Sequence, residues 1–155
     1  METPPSYSSS VVIERPPEAL YDMVADVTRM GEWSRECRSC TWDDDAGPTV
    51  GDWFSGTNVD ADHEWTTHCE IVAADRGREF AFVVEGYAAR WGYTFEAVDG
   101  GTRVTESWRF SPAARARFHE IFGDQAEERI AFRAENAKEE IAATLASLKH
   151  AAESG

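Results

Sequence analysis

Positive charge is scarce in this sequence. Its 155 residues include 15 Lys and Arg against 29 Asp and Glu, which gives a formal net charge of −14 at pH 7. A surface with this balance repels phosphate backbones and anionic lipid headgroups. We therefore expect no nucleic acid among the partners of the protein.

Long apolar runs are missing as well. No stretch of about 18 apolar residues occurs, the length that a membrane-spanning helix needs. The first ten residues, METPPSYSSS, lack the basic region and the apolar run of a secretory signal. The sequence therefore predicts a cytoplasmic protein without stable insertion into a membrane. Residues 1–6 are expected to be disordered.

Cysteine is limited to Cys37, Cys40 and Cys69, which fits thiols kept reduced in a cytoplasm. The CRSC spacing of Cys37 and Cys40, together with His68 and Cys69, matches the ligand count of a Cys₃His zinc site. In a regular strand, however, residues three apart point to opposite faces, and so do adjacent residues. We therefore expect no metal site, no redox site and no required disulfide. Cys69 is interpreted as a small buried hydrophobe.

Aromatic residues are abundant, by contrast, with six Trp, eight Phe and four Tyr. Such a supply either fills a core or lines a sizeable apolar cavity. The length suits a single domain over residues 1–155 that is large enough to bury a core of its own.

The pattern along the chain predicts an α+β domain. Tyr7–Glu14 has the β-branched and hydroxyl residues of a strand. Pro17 and Glu18 suit the first turn of a short helix, and Asp26 caps a second one that Gly31 ends. Six further strands follow, joined by turns into an antiparallel meander. They are Cys37–Trp42, Trp53–Val59, Glu64–Asp75, Glu79–Glu85, Ala89–Val98 and Thr102–Phe110.

The last segment predicts one long amphipathic helix. Asp124 and Glu127 resemble a capping box at its start. Its apolar stripe comprises Ile130, Ala134, Ala137, Ile141, Leu145 and Leu148, with Glu, Lys and Arg on the other face. No other element is large enough to cover the apolar face of a seven-stranded sheet, so the sheet should curve around this helix. Alternation along each strand then places on the inner face Phe54, Gly56, Asn58, Trp65, Thr67, Cys69, Ile71, Phe80, Phe82, Val84, Trp91, Tyr93, Phe95, Val104, Glu106, Trp108 and Phe110.

Several local sequences carry a resemblance to a known family. They are the Pro-Pro-Glu helix start, DVTRMGEWSREC, Gly51 with FSGTN, WTTHCEI, REFAF and GTRVTESW. With the element order, they resemble the helix-grip fold of the START-like (SRPBCC) superfamily and are similar to its bacterial polyketide cyclase/dehydrase branch. The resemblance implies a cavity between sheet and long helix. Members bind lipids, sterols or polyketides, and only some catalyse a reaction. In this branch Ser-Pro-Glu commonly follows the Trp, whereas Arg35 replaces the proline here, in a region that borders the pocket.

The inner-face pattern and the resemblance together give the candidate ligand-binding residues. Trp33 is expected either to anchor its segment or to form a pocket wall. The full set is Trp33, Phe54, Asn58, Trp65, Thr67, Cys69, Phe80, Phe82, Trp91, Phe95, Trp108, Phe118, Phe122, Ile130 and Ile141.

Glu106 and Tyr93 are the candidate catalytic residues. A carboxyl group among aromatic neighbours has its pKa raised by burial unless a cation or a hydrogen-bond donor compensates, and it can then act as a general acid or base. The alternative is that Glu106 pairs with an arginine or bonds to Tyr93 near a strand end. Arg90 and Arg109 should face outward by alternation, so neither is the first choice for a partner.

Other features give no catalytic arrangement. The four histidines are scattered, and no Ser/His/Asp or Cys/His set can be defended from spacing. Ala113–Gly123 is either a mobile lid or a plain connection to the long helix. No cofactor is expected.

Three functions remain open from the sequence. The first is binding of a small hydrophobic ligand, which is aromatic, polyketide-like or lipid-like. The second is a polyketide aromatase/cyclase in which Glu106, Tyr93 and Asn58 assist proton transfers. The third is a partner-binding module with a filled core. An enclosed space below roughly 300 Å³ would contradict the ligand-binding hypothesis.

Overall fold

The computed structural model describes residues 5–44, 46–59 and 63–154. Within these ranges seven strands form one antiparallel sheet, curved around a long C-terminal helix, in the order β1-β7-β6-β5-β4-β3-β2. The strands are β1 (Ser6–Ile13), β2 (Cys37–Trp42), β3 (Trp53–Val59), β4 (Glu64–Asp75), β5 (Glu79–Val84), β6 (Ala89–Val98) and β7 (Gly101–Phe110). The α-helices are α1 (Pro17–Ala25), α2 (Pro112–Phe122) and α3 (Ala126–Ser154). This confirms the predicted helix-grip architecture.

The expected disorder at the start of the chain does not extend to Pro5 and Ser6. Ser6 opens β1 opposite Arg109, and the Pro5 carbonyl accepts a hydrogen bond from the Phe110 amide. The pairing of β1 with β7 therefore begins at the first residue of the strand. Residues 1–4 lie outside the described ranges.

The short second helix is a 3₁₀ helix over Val27–Glu32, and it begins as predicted at Asp26. The carboxylate of Asp26 accepts from the Thr28 amide at 3.2 Å, so the residue acts as the N-cap. Gly31 has a further role. A Cβ atom at this position would lie 2.3 Å from the carbonyl oxygen of Arg38, so only glycine lets β2 approach the 3₁₀ helix this closely.

The core fills one end of the space between sheet and helices. Helix α3 packs mainly on β1 and β7 through the predicted stripe. At the α1 end the ring of Tyr21 makes edge contacts with Phe80 and Phe95, with centroids 6.0 and 5.7 Å apart. Helix α1 therefore closes the sheet over β5 and β6.

The segment between the last strand and α3 is helical. Pro112 occupies the first turn of α2, and the Ser111 hydroxyl caps it by accepting from the Ala114 amide at 2.9 Å. Gly123, at φ +54°, ends α2. The expected capping box at Asp124 does not describe the start of α3, because Glu127 instead contacts Arg115 and His119 of α2.

Among the described residues, no helix is both long enough and apolar enough to cross a membrane.

Candidate functional site

A cavity of about 400 Å³ lies between the inner face of the sheet and α3. The volume exceeds the roughly 300 Å³ set as the lower limit for a ligand site. A cavity of this size does not support the hypothesis of a partner-binding module with a filled core. The candidate residues that line it are Phe54, Asn58, Trp65, Thr67, Cys69, Phe82, Trp91, Tyr93, Glu106, Trp108 and Phe118.

The remaining candidates do not line this cavity. Phe80 and Phe95 do not line the cavity because the ring of Tyr21 covers them. The buried stripe that holds Ile130 and Ile141 belongs to the packed core. Phe122 lies instead in an outer pocket. This pocket shares with the cavity the residues Glu36, Trp65, Phe118, Arg133 and Asn136.

Trp33 is an anchor and does not form a pocket wall. Its side chain is 3% exposed within the core, and the guanidinium of Arg29 lies 5.2 Å from its ring. The neighbouring Met30 and Ser34 line the cavity in its place. The segment therefore borders the pocket as predicted. The expectation that the Trp33 side chain itself contacts a ligand is wrong.

The aromatic wall consists of paired rings. Trp91 and Trp108 face each other across β6 and β7 with centroids 6.4 Å apart. Phe54 and Phe82 meet edge to face at 5.1 Å. Such rings give a rigid apolar surface against which a flat or apolar molecule can pack.

Polar groups are concentrated at a few points of this wall. Tyr93 and Glu106 are direct partners across β6 and β7, and the Tyr93 hydroxyl lies near enough to the Glu106 carboxyl group to lower the pKa of Glu106. On β3, the amide of Asn58 donates to the Thr67 hydroxyl at 3.2 Å. These groups can orient the polar atoms of a ligand inside an otherwise apolar cavity.

Glu106 is almost fully buried, at 2% exposed, and its Oε1 has no hydrogen-bond partner among the described residues. Burial raises the pKa of Glu106 well above its ordinary value, the charge of Glu140 raises it further, and the nearby Tyr93 hydroxyl lowers it. Arg90 faces outward, as predicted, and pairs with Glu79 at 3.2 Å. No arginine therefore compensates Glu106 within the described residues.

Glu140 is a cavity residue that the sequence pattern missed. Its Oε1 accepts from the Ser34 hydroxyl at 2.6 Å and from the amides of Arg35 and Glu36 at 3.1 and 3.4 Å. Its Oε2 lies 3.3 Å from Arg35 Nε without a hydrogen bond. The carboxylate thus ties the segment after the 3₁₀ helix to α3.

A second stripe on α3 explains the omission. Arg133, Ala137, Glu140 and Thr144 line the cavity at spacings of four, three and four, next to the apolar stripe. The sequence pattern predicts that the glutamates of this helix lie on the solvent face. Glu140, at 5% exposed, corrects that assignment. The helical spacing of these four residues was the signal that could have found it.

The prediction that Cys37 and Cys40 point to opposite faces is wrong. Their sulfur atoms lie 3.2 Å apart, and both line the cavity. The cause is a β-bulge, because Cys37 pairs with Asn58 while Ser39 already pairs with Thr57. Arg38 is the extra residue. Cys40 therefore pairs with Gly56, two positions from Asn58 and on the same face of β3.

The other half of the suspected zinc set behaves as alternation predicts. Cys69 is buried and lines the cavity, and burial raises its pKa to about 12. His68 lies on the opposite face, where its ring stacks on Trp53 and its Nε2 is 2.5 Å from Asp43. In the described part of the chain, no group of three or more His, Cys, Asp or Glu residues has the arrangement of a metal site.

Comparison with known proteins places this architecture in a family. A family model described as polyketide cyclase/dehydrase and lipid transport matches residues 4–153. The chain is similar to the polyketide-cyclase-like protein Cgl2372 from Corynebacterium glutamicum, with 37% identity, coverage of 99% of this chain and 94% of that one, and a TM-score of 0.74. A comparison with curated proteins found no match.

Two more distant structures share the fold. One is the di-domain aromatase/cyclase StfQ from the steffimycin biosynthetic pathway, at 11% identity and a TM-score of 0.76, with coverage of 98% of this chain and 51% of that one. The other is Ara h 8.0201, at 13% identity and a TM-score of 0.63, with coverage of 97% and 98%.

Proposed function

The chain belongs to the polyketide cyclase/dehydrase and lipid transport family, and from that premise we propose that it binds a small hydrophobic molecule between the sheet and α3. The observation that carries the proposal is the cavity of about 400 Å³ with its aromatic wall. Its volume lies in the range of small-molecule sites, which are mostly apolar with a few polar groups. An aromatic, polyketide-like or lipid-like ligand fits this description.

The polar groups of the cavity give the ligand a preferred orientation. The carboxyl group of Glu106 lines the cavity, and Asn58 and Thr67 supply further donors and acceptors. A ligand with a carbonyl or hydroxyl group therefore gains hydrogen bonds at β7 or β3, while its apolar part packs on Trp91 and Trp108. We infer that the ligand carries at least one oxygen atom.

An aromatase/cyclase activity is the second candidate, and the Tyr93–Glu106 pair favours it. A buried acid with a raised pKa keeps its proton to a higher pH than an exposed one and can donate it to a ketone oxygen. The carboxylate that remains can then accept a proton from a neighbouring carbon. Most of the rate would come from holding a poly-ketone in one conformation, with a smaller contribution from acid–base catalysis.

Blocking the cavity tests the binding proposal. Ala137 lines it from α3, so Ala137→Phe should fill space that a ligand needs. Ala131→Phe adds the same ring at an exposed position of the same helix and is the matched control. Saturable binding of the apolar dye 1-anilinonaphthalene-8-sulfonate, followed by fluorescence, should weaken at least about tenfold in A137F and stay unchanged in A131F.

Equal dye binding by folded A137F and the native chain would contradict the cavity as the site. Candidate natural ligands come from incubating the native chain and A137F with cell extract and comparing the retained molecules by mass spectrometry. For any substrate found in this way, full turnover by Glu106→Gln would exclude the acid–base role and leave binding intact.

A further inference from the structure

Cys37 and Cys40 have no part in the function proposed above, and their geometry points to chemistry of their own. Their sulfur atoms lie 3.2 Å apart, whereas the sulfurs of a disulfide lie about 2.05 Å apart. We propose that these two thiols form a reversible disulfide, which makes the wall of the cavity a site of oxidation. Closing the bond needs an approach of only about 1 Å.

The backbone holds the two thiols together. The bulge at Arg38 gives Cys37 and Cys40 the relationship of residues two apart in a regular strand. The Arg38 carbonyl packs against Gly31, where a Cβ atom would lie 2.3 Å away. The amide of Cys37 donates to the Ser34 hydroxyl at 3.0 Å, which fixes the start of the strand. The pair is therefore prearranged by the fold.

The cavity gives a small oxidant access to the pair. Both side chains are about 95% buried, so large reagents do not reach them from the protein surface. Both nevertheless line the cavity, and the cavity shares Trp65 and Phe118 with the outer pocket. Hydrogen peroxide is small and uncharged enough to enter by this path.

The two sulfurs differ in acidity, which sets the order of steps. The hydrogen bond from Cys40 lowers the pKa of Cys37, although burial and the charges of Glu140 and Glu36 oppose it. The same bond and burial raise the pKa of Cys40. Cys37 is therefore the thiol that ionises first.

The reaction consumes one peroxide and balances as follows. The Cys37 thiolate attacks one peroxide oxygen, the O–O bond breaks, and Cys37 becomes a sulfenic acid as the other oxygen leaves as hydroxide. The hydroxide takes up the proton that the Cys37 thiol lost on ionisation and becomes water. The sulfur of Cys40 then attacks the sulfenic sulfur. The S–S bond forms, and the sulfenic oxygen leaves as a second water with the proton of Cys40. The two thiols together lose two electrons, and dithiothreitol reduces the disulfide to two thiols again by thiol–disulfide exchange.

Trypsin maps the proposed bond in the native chain, because Arg38 lies between the two cysteines. Cleavage after residues 35, 38 and 76 separates peptides 36–38 and 39–76 in the reduced protein. After treatment with stoichiometric hydrogen peroxide, the intact protein should be lighter by two hydrogens and lose two of its three thiols. The two peptides should then run as one linked species, which dithiothreitol separates.

Cys69 also lies in peptide 39–76, so a variant distinguishes the two partners of Cys37. Cys69→Ser should still form the linked species, whereas Cys37→Ser and Cys40→Ser should not. Three results would overturn the proposal: loss of the link in C69S, separate oxidation of the two thiols to sulfinic acids, or a pair that reacts only in urea. Further digestion of the linked native species with chymotrypsin, after Trp42, Trp53 and Phe54, separates Cys40 from Cys69. The native chain therefore decides even where a variant fails to fold, and none of these readouts depends on a ligand.

Discussion

Tyr93 and Glu106 are direct cross-strand partners on β6 and β7, and Tyr93 is the polar neighbour of a carboxyl group whose Oε1 has no hydrogen-bond partner among the described residues. One polar neighbour does not replace the water that two carboxylate oxygens lose on burial. The balance explains why the pKa of Glu106 lies well above its ordinary value. It also makes the stability of the fold depend on pH.

Glu106→Gln should flatten that dependence. Since the pKa of Glu106 is raised in the folded state, the folded chain binds more protons than the unfolded chain between the two pKa values. Its stability is therefore greatest below the unfolded pKa and falls as pH rises through the folded pKa. The slope due to this group approaches about 1.4 kcal/mol per pH unit. Urea unfolding from pH 4 to pH 8 measures it.

Glu128→Gln, at an exposed site on α3, is the control for Glu106→Gln. It should leave the slope of the native chain unchanged. Parallel pH profiles for E106Q and the native chain would show that Glu106 ionises in the folded protein without cost.

Gly31→Ala should destabilise the protein by about 2–3 kcal/mol, as steric clashes in packed regions do. The added methyl group would lie 2.3 Å from the backbone oxygen of Arg38, and a backbone atom cannot move aside cheaply. Gly47→Ala is the matched control, since a Cβ there meets no atom within 4 Å. Thermal unfolding compares the two. A stable G31A would mean that β2 can shift away from the 3₁₀ helix.

Glu140→Ala should loosen the segment that follows the 3₁₀ helix. The change removes the acceptor of the Ser34 hydroxyl and of the Arg35 and Glu36 amides, and we expect a loss of about 2–4 kcal/mol. Hydrogen exchange at the two amides should accelerate more than exchange in the sheet. Glu139→Ala, its exposed neighbour, should change stability by less than about 0.5 kcal/mol. Unchanged amide exchange in E140A would refute the tether.

Glu127→Gln should free α2 from α3. The carboxylate of Glu127 contacts both Arg115 and His119, and the bond from Arg115 lowers the pKa of Glu127. A lowered folded pKa means that the interaction is present above the unfolded pKa and is lost as pH falls through the folded pKa. Exchange of the α2 amides, corrected for its intrinsic pH dependence, should accelerate on acidification in the native chain. In E127Q it should be fast throughout.

The same variant addresses the prediction of a lid over Ala113–Gly123. Phe118 of α2 lines the cavity, so freeing the helix should speed the entry of a dye without changing the volume behind it. Glu135→Gln, at an exposed site on α3 that lines neither the cavity nor the outer pocket, is the control. Equal entry rates in E127Q and the native chain would leave α2 a fixed connection.

Alternation along the strands predicted the sheet well because every strand has one face toward the core or cavity. Tyr93, Glu106, Trp91 and Trp108 all lie on the inner face for this reason. The fold could be predicted because its pattern is long and regular. The list of pocket residues was less accurate, since Phe80 and Phe95 share that face and differ only in being covered by Tyr21 of another element. Strand periodicity contains no information about what packs on top.

Two misjudged features depend on single residues. The extra residue Arg38 moves the side chain of Cys37, the residue before it in β2, to the other face of the strand. Nothing in the residue types of the strand indicates this bulge. Glu140 has the residue type of a solvated helix face, yet it is buried because three donors of a distant segment converge on it. Both depend on contacts between segments far apart in the chain, which local patterns do not record.

The bulge at Arg38 also changes how the cysteine spacing should be read in relatives of this chain. With the extra residue, Cys-x-x-Cys is the spacing that brings two thiols to one face. In a relative whose β2 lacks the bulge, the same spacing would put one thiol toward solvent, and Cys-x-Cys would be the equivalent pair. A relative shares the dithiol only if its β2 has the extra residue between the positions that pair with Asn58 and Gly56. The presence of two cysteines alone does not decide this.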